Sequence, residues 1–191
     1  MTPTPSLAGN RVLLRPVRPE DQAQRQRLGW HASIERGYGH DAEDRDMSVE
    51  EASAWLEAVL LAERDPTRRH WVIESDGALV GVAFLHSIDA RDRKARFAIG
   101  LFHPDHQGRG FGTEATRLVL AHAFTGMGLH RVDLRVLAFN QAAVACYEGC
   151  GFRVEGRERE SCWIGGRAHD DLIMGILARE FHERNEATGS S

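Results

Sequence analysis

Gln107-Gly-Arg-Gly-Phe-Gly-Thr113 is the stretch on which the reading of this chain turns. It follows the apolar run Ala95 to Phe102, which Pro104 closes, and it precedes a helical stripe made by Ala115, Leu118, Val119, His122 and Ala123. A strand therefore feeds a helix through a turn that carries Gly108, Gly110 and Gly112. The first N–H groups of a helix have no intrahelical acceptor, and the helix dipole adds to them, so this junction favours an anion. Glycines let the backbone approach a pyrophosphate closely, and Arg109 adds positive charge. The turn has no lysine and is not a P-loop. A plain tight connection between strand and helix accounts for the glycines equally well, so the turn alone leaves both readings open.

A dinucleotide site competes for the same residues. Gly110-Phe-Gly-Thr-Glu-Ala115 satisfies G-x-G-x-x-A, and Asp133 lies near the distance expected of a ribose-binding acid. Against this, the preceding strand ends several residues early at Phe102, an antiparallel hairpin comes before it, and Asp133 falls inside a strand instead of at its tip.

Outward from the turn, the pattern is mixed α/β without a repeat. Val12 to Val17 reads as a first strand, and Pro19 opens a helix. Ser48 with Glu51 forms a capping box ahead of Ala52, Trp55, Leu56 and Val59, in a helix expected to stop near Pro66. His70 to Glu74 and Leu79 to Leu85 flank Asp76-Gly77, a strong hairpin signal, and Ala95 to Phe102 completes an antiparallel meander. After the glycine turn and its helix come a strand at Arg131 to Val136, a short helix from Asn140 to about Gly149, and two strand-like runs around Gly166. Residues 1–10 read as an irregular lead, 11–183 as a single domain and 184–191 as a polar, frayed tail.

The chain has 191 residues, 42% hydrophobic and 27% charged, enough for one sizeable core. Its formal charge of −4 argues against a dedicated nucleic-acid binder. No apolar run approaches a membrane span and Met1 to Asn10 lacks the core of a secretory signal, so no membrane partner is expected and the chain reads as cytoplasmic. Cys146, Cys150 and Cys162 cannot all pair with one another, and no CxxC or HExxH spacing offers a metal site. No metal is expected.

Gln107-x-x-Gly110-x-Gly112 resembles the acyl-CoA pyrophosphate motif of the GNAT superfamily of N-acyltransferases. Asn140, followed by Tyr147-Glu-Gly-Cys-Gly-Phe152, is similar to that family's second signature, and the order of elements matches from Arg11 to Phe181. Arg11-Val-Leu-Leu-Arg-Pro16 and Gly112-Thr-Glu-Ala115 resemble the branch that acetylates ribosomal-protein N-termini. Arg153-Val-Glu-Gly156 resembles the spermidine acetyltransferases within it.

The resemblance implies a GNAT-like mixed sheet with an antiparallel N-terminal meander, splayed central strands and flanking helices. It implies acetyl-CoA as cosubstrate and a small amine, polyamine or peptide N-terminus as acceptor, attacked directly in a ternary complex, and it suggests a homodimer. The backbone from Gly108 through Arg109, Gly110, Phe111 and Gly112 to Thr113 would hold the pyrophosphate, with Gln107 supporting the turn. Leu101 and Phe102 match the strand that pairs with the pantetheine, and a backbone N–H near Leu101 would polarise the carbonyl. Asn140 would bond the pantetheine arm while also suiting a helix cap. Tyr147, about two helical turns beyond it, would protonate the departing thiolate.

Two departures stand out. Ala143 replaces a serine common in relatives, which increases the dependence on Tyr147. Arg96 and Phe97 occupy the region where relatives often carry a glutamate base. Glu74 and His86, on neighbouring strands, are the substitutes at hand, and a water chain to solvent is another. For the acceptor, Glu35 to Glu51 holds seven acids against two arginines. That charge would steer a cation, although acids beside a helix start also stabilise it locally. Trp30, Tyr38, Trp55, Trp71 and Trp163 are the aromatic candidates for an acceptor pocket, each also suited to a core.

Overall fold

Asp76 and Gly77 both take positive φ, 51° and 77°, the geometry of a two-residue hairpin turn. They join β3 (Arg69–Ser75) to β4 (Ala78–Asp89), and β4 pairs antiparallel with β5 (Lys94–Leu101). The computed structural model describes residues 4–189. Before the meander come β1 (Leu7–Ala8), β2 (Leu13–Arg15), α1 (Asp21–Leu28), α2 (Ala32–Arg36) and α3 (Val49–Ala62). After it come a 3-10 turn at Pro104–His106, α4 (Phe111–Ala121) continuing into a π turn at His122–Gly126, and β6 (Arg131–Leu137). The chain then forms α5 (Gln141–Cys150), β7 (Arg153–Ile164), β8 (Arg167–Leu177) and α6 (Ala178–Gly189).

One eight-stranded sheet runs β1-β2-β3-β4-β5-β6-β8-β7, antiparallel everywhere except between β5 and β6. Both faces of its centre are covered, which is why β3 reads as an unbroken apolar run instead of an alternation. Trp71 and Ile73 pack into the larger core with Phe111, Ala115 and Val119 of α4. Val72, between them, points to the other face and joins Val59 of α3 with Leu79. The Ser48 capping box forms as read, with Glu51 N–H donating to Ser48 Oγ at 3.1 Å and Glu51 returning to the Ser48 N–H at 2.9 Å.

Several expectations need correction. The first strand is shorter than Val12–Val17, because Pro16 cannot donate to a ladder. The lead contains a strand, β1, whose Leu7 pairs with Leu14. The helix expected to reach Pro66 stops at Ala62, and α2 was not legible in its five residues. The polar tail continues as α6 to Gly189. Residues 1–3 of the lead and 190–191 of the tail lie outside the described residues. Among the described residues no helix is long and apolar enough to cross a membrane.

A buried charge cluster ties the N-terminal elements to the sheet. Arg15, 2% exposed, donates both terminal nitrogens to Asp21 at 2.7 and 2.8 Å and its Nε to Glu74 at 2.5 Å. Removing one partner of such a pair strands a charge in low dielectric, which costs about 3–5 kcal/mol. Asp21→Asn is expected to lower unfolding free energy by several kcal/mol in urea titrations, whereas Asp92→Asn, on an exposed pair with Lys94, leaves it nearly unchanged.

Candidate active site

The parallel ladder between β5 and β6 holds for Lys94, Ala95 and Arg96 against Arg131, Val132 and Asp133. Beyond it, β5 stays on β4 as far as the Gly81–Leu101 pair, and β6 stays on β8 as far as Leu137–Asp171. The two central strands therefore fork, and the inner edges of Phe97 to Leu101 and Leu134 to Leu137 face each other without a ladder. An extended ligand can fill such a gap by adding backbone hydrogen bonds.

At the mouth of the fork lies the glycine turn. Gln107 ends the 3-10 turn, its N–H donating to Pro104 at 2.9 Å. Gly108 and Gly110 have φ of 69° and 82°, and Gly110 is the left-handed N-cap of α4. No side chain caps that helix, so the N–H groups of Phe111, Gly112 and Thr113 point outward together. Gly112 has ordinary φ and nothing within 4 Å of the place a Cβ would occupy. Neither backbone nor packing requires that glycine, which leaves room for a bound group as its use. Arg109 folds its guanidinium over the Phe111 ring at 4.7 Å. The Thr113 hydroxyl turns away from the glycine turn to Cys146 Sγ at 3.3 Å, which leaves its backbone N–H at the helix start.

The turn is held from behind by Arg11 and Glu114. Arg11 donates to the Arg109 carbonyl at 2.9 Å, and the Glu114 carboxylate accepts from the backbone N–H groups of Asn10 and Arg11. Arg11 was legible only as part of a motif, since its partner is 98 residues away.

Farther along the fork, Asn140 caps α5, its Oδ1 accepting from Ala143 N–H at 3.2 Å. Its Nδ2 stands 3.2 Å from where a Cβ of Gly37 would be, so the amide spans from α5 to the turn after α2. Tyr147, 8% exposed, packs edge-on against Phe97 and Phe152 at the closed end of the fork. Burial foremost, and then the neighbouring Cys146, Tyr38 and Cys150, push its pKa up, so the hydroxyl holds its proton at neutral pH. Leu101 ends β5 at the open side of the fork. Phe102 bonds Val80 through its backbone N–H at 3.0 Å, while its ring packs on Trp55 and Arg25, away from the fork.

The two candidate bases are elsewhere. Glu74 is bound to Arg15 and lies two strands from β5. His86 sits opposite Arg96, five residues and thus about 17 Å of strand from Leu101. Burial and then Arg96 lower its pKa. Arg96 itself pairs with Asp133 at 2.8 Å across the closed end, which also removes Asp133 from any ribose-binding role. Of the aromatic candidates, Trp71 is fully buried core, Trp55 packs on Phe102, and Trp30 stacks on Arg25 and Arg45. Trp163 stands 69% exposed on the β7–β8 hairpin, and Tyr38 alone reaches the fork. Among the described residues no group of three or more His, Cys, Asp or Glu is arranged to hold a metal ion.

A forked mixed sheet with an uncapped, glycine-rich helix start at its mouth defines an acyl-CoA transferase site. Residues 11–153 match the acetyltransferase (GNAT) domain, and the chain belongs to that family. It is 28% identical over 180 residues to spermidine N(1)-acetyltransferase of Escherichia coli strain K12, covering 94% of this chain and 93% of that protein. Spermidine N(1)-acetyltransferase of Vibrio cholerae is 37% identical over 123 residues, 64% of this chain and 70% of that one. The crystal structure of the Vibrio cholerae spermidine N-acetyltransferase with CoA and spermine superposes with a TM-score of 0.75 at 29% identity, covering 91% of this chain and 99% of that one. This chain is an acetyl-CoA-dependent acetyltransferase with an amine acceptor.

The open space at Gly112 gives a test in which stability and binding move oppositely. Ala is about 1 kcal/mol better than Gly in a helix. Gly112→Ala is expected to melt at or above the wild-type temperature yet bind acetyl-CoA at least several-fold more weakly by calorimetry.

Proposed function

We propose that this protein acetylates a primary amine of a polyamine, by direct attack of the amine on acetyl-CoA within a ternary complex. The observation that carries the chemistry is the fork itself: a gap lined by unpaired strand edge, with an anion site at one end and a proton-holding tyrosine inside. The pyrophosphate binds the backbone from Gly108 to Thr113, Gln107 and Arg11 hold that turn, and the pantetheine lies along Leu101 and Phe102 with Asn140 opposite. The site fits the cosubstrate, since the exposed first-turn N–H groups and the space at Gly112 are otherwise unused.

The Leu101 N–H polarises the thioester carbonyl, because it points away from β4 in the Gly81–Leu101 pair. As the tetrahedral intermediate collapses, sulfur leaves with its electron pair and Tyr147 supplies the proton. Its raised pKa suits a general acid that stays protonated until a thiolate forms beside it. With alanine at position 143, no serine stands one turn into α5 to share that role.

The polyamine reading is supported by the named relatives and by the charge of the segment from Glu35 to Glu51, which adjoins the fork. Part of that charge is structural. Asp41 accepts from Gly165 N–H at 2.9 Å, Asp44 from Ala32 N–H at 2.7 Å, and Glu51 pairs with Arg45 at 2.7 Å. All three cysteines are free, which agrees with a reducing, cytoplasmic compartment. We assign the acetyltransferase domain to residues 11–183, with β1 added at the edge of its sheet and α6 running on past it.

Release of CoA thiol from acetyl-CoA tests the reading with spermidine, an aminoglycoside, simple amines and peptides bearing a free N-terminal alanine or serine. Spermidine is expected to give the highest kcat/KM, and its KM is expected to rise steeply with salt. Peptide-dependent release with no response to spermidine would overturn the polyamine assignment. Tyr147→Phe is expected to fold normally and lose about 100-fold in kcat. Unchanged turnover, with chemistry shown to limit the rate, would remove Tyr147 from the mechanism.

A further inference from the structure

The reaction as derived lacks a group to take the acceptor's proton: Arg96 is a strand tie, Phe97 is core, Glu74 is bound to Arg15 and His86 lies at the wrong end of β5. One carboxylate of the acidic stretch is brought near the fork by α2 and the turn that follows it, that of Glu35, whose charge acts on Tyr38. The Glu35 carbonyl accepts from the N–H groups of Tyr38 at 2.9 Å and His40 at 3.0 Å, which folds the segment back on the end of α2. The Glu35 side chain is only 13% exposed, whereas Asp41, Glu43, Asp44, Asp46 and Glu50 of the same acidic stretch all lie on the surface. Its carboxylate meets His40 Nδ1 at 3.1 Å, and His40 is 67% exposed, which gives the buried acid a contact to solvent.

Tyr38 carries this cluster into the fork. A Cβ on Gly100 would lie 2.4 Å from the Tyr38 hydroxyl, so the bare glycine is what admits it. The residue is 45% exposed overall, but its hydroxyl end faces inward over Gly100, beside the Leu101 backbone. The Leu101 N–H is the donor assigned above to the thioester carbonyl. The phenol thus lies beside the reacting centre. Burial, and then the charge of Glu35, push its pKa up to about 12, so it remains a neutral hydroxyl. Behind it, Arg25 is 4% exposed, stacked between the Trp30 and Phe102 rings at 4.8 and 4.4 Å, and its Nε has no hydrogen-bond partner. The charged and titratable groups facing Glu35 are Arg25 from α1 and Tyr38 and His40 from its own segment; Tyr147 of α5 faces Tyr38.

We propose that Glu35 takes the acceptor's proton and that the Tyr38 hydroxyl seats the amine nitrogen beside the thioester carbon. The acceptor arrives as an ammonium ion. One proton passes from nitrogen to the Glu35 carboxylate and through His40 to solvent, which frees the lone pair. Nitrogen then forms the C–N bond while donating a second N–H to the Tyr38 oxygen. The C–S bond breaks with its electron pair on sulfur, Tyr147 protonates that sulfur, and the second nitrogen proton replaces the one Tyr147 gave. One proton is released for each acetyl group moved.

This assignment rests on the transferase reading above, and the experiment separates the two. Acetyl-CoA affinity by calorimetry and amine-dependent CoA release are measured for wild type, Glu35→Gln and Tyr38→Phe, each checked by thermal melting. Glu35→Gln is expected to bind acetyl-CoA as wild type does and to lose about 100-fold in kcat/KM for the amine near pH 7. Its rate should climb about tenfold per pH unit and approach wild type near about pH 9.5, where free amine is no longer scarce. Tyr38→Phe is expected to lose activity without that recovery. A Glu35→Gln rate within twofold of wild type throughout, or a loss of the same size at every pH, overturns the proton-accepting role. A wild-type protein that binds acetyl-CoA but releases no CoA with any amine overturns the transferase reading, and the inference with it.

Discussion

The β5–β6 ladder stops after three registered pairs, and most of the functional architecture follows from that stop. Each strand keeps its other neighbour, so the sheet does not fall apart; it opens along one seam. Backbone groups on the inner edges then have no strand to pair with, and leaving such groups unpaired when buried is costly. A ligand with amides spaced along an extended arm meets that need. Arg96 and Asp133 fasten the closed end of the seam, and Phe97, Tyr147 and Phe152 pack into its apex.

The seam also explains how distant parts of the chain come to one place. The glycine turn sits at its mouth because α4 begins there, and Arg11 holds that turn from the N-terminal part of the chain. Helix α5 starts across the gap, where the cap made by Asn140 fixes its direction and brings Tyr147 to the apex. The segment after α2 lies along the open side, tied to the β7–β8 hairpin by Asp41 and Gly165 and to α5 by the approach of Asn140 to Gly37.

Charge serves two purposes in this molecule. Arg15, Asp21 and Glu74 form a buried cluster that holds the N-terminal elements to the sheet and does no chemistry. Arg25 is also buried, yet no carboxylate touches it; its guanidinium is stacked between the Trp30 and Phe102 rings and donates to the Gly29 carbonyl. Much of the acidic run is spent on hydrogen bonds that shape the segment, so its net charge overstates the carboxylates left for an incoming amine.

The order of elements, the Asp76-Gly77 hairpin, the Ser48 capping box and the glycine turn were legible in the sequence because each is set by neighbours within a few residues. The pairing of Asn140 with Tyr147 was legible for the same reason, since helical periodicity alone puts them on one face. Short elements were not: β1 has two residues and α2 five, too few to show a period, and each is held from outside itself, β1 by Leu13 and Leu14 and the end of α2 by Asn140 across the fork. The shape of the seam, the displacement of Glu74 and His86 from the site, the support Arg11 gives the turn and the entry of Tyr38 over Gly100 were decided only by tertiary structure. Each depends on which strand edges meet and which side chain finds room there, and contacts between residues tens of positions apart leave no period or spacing in the sequence to read.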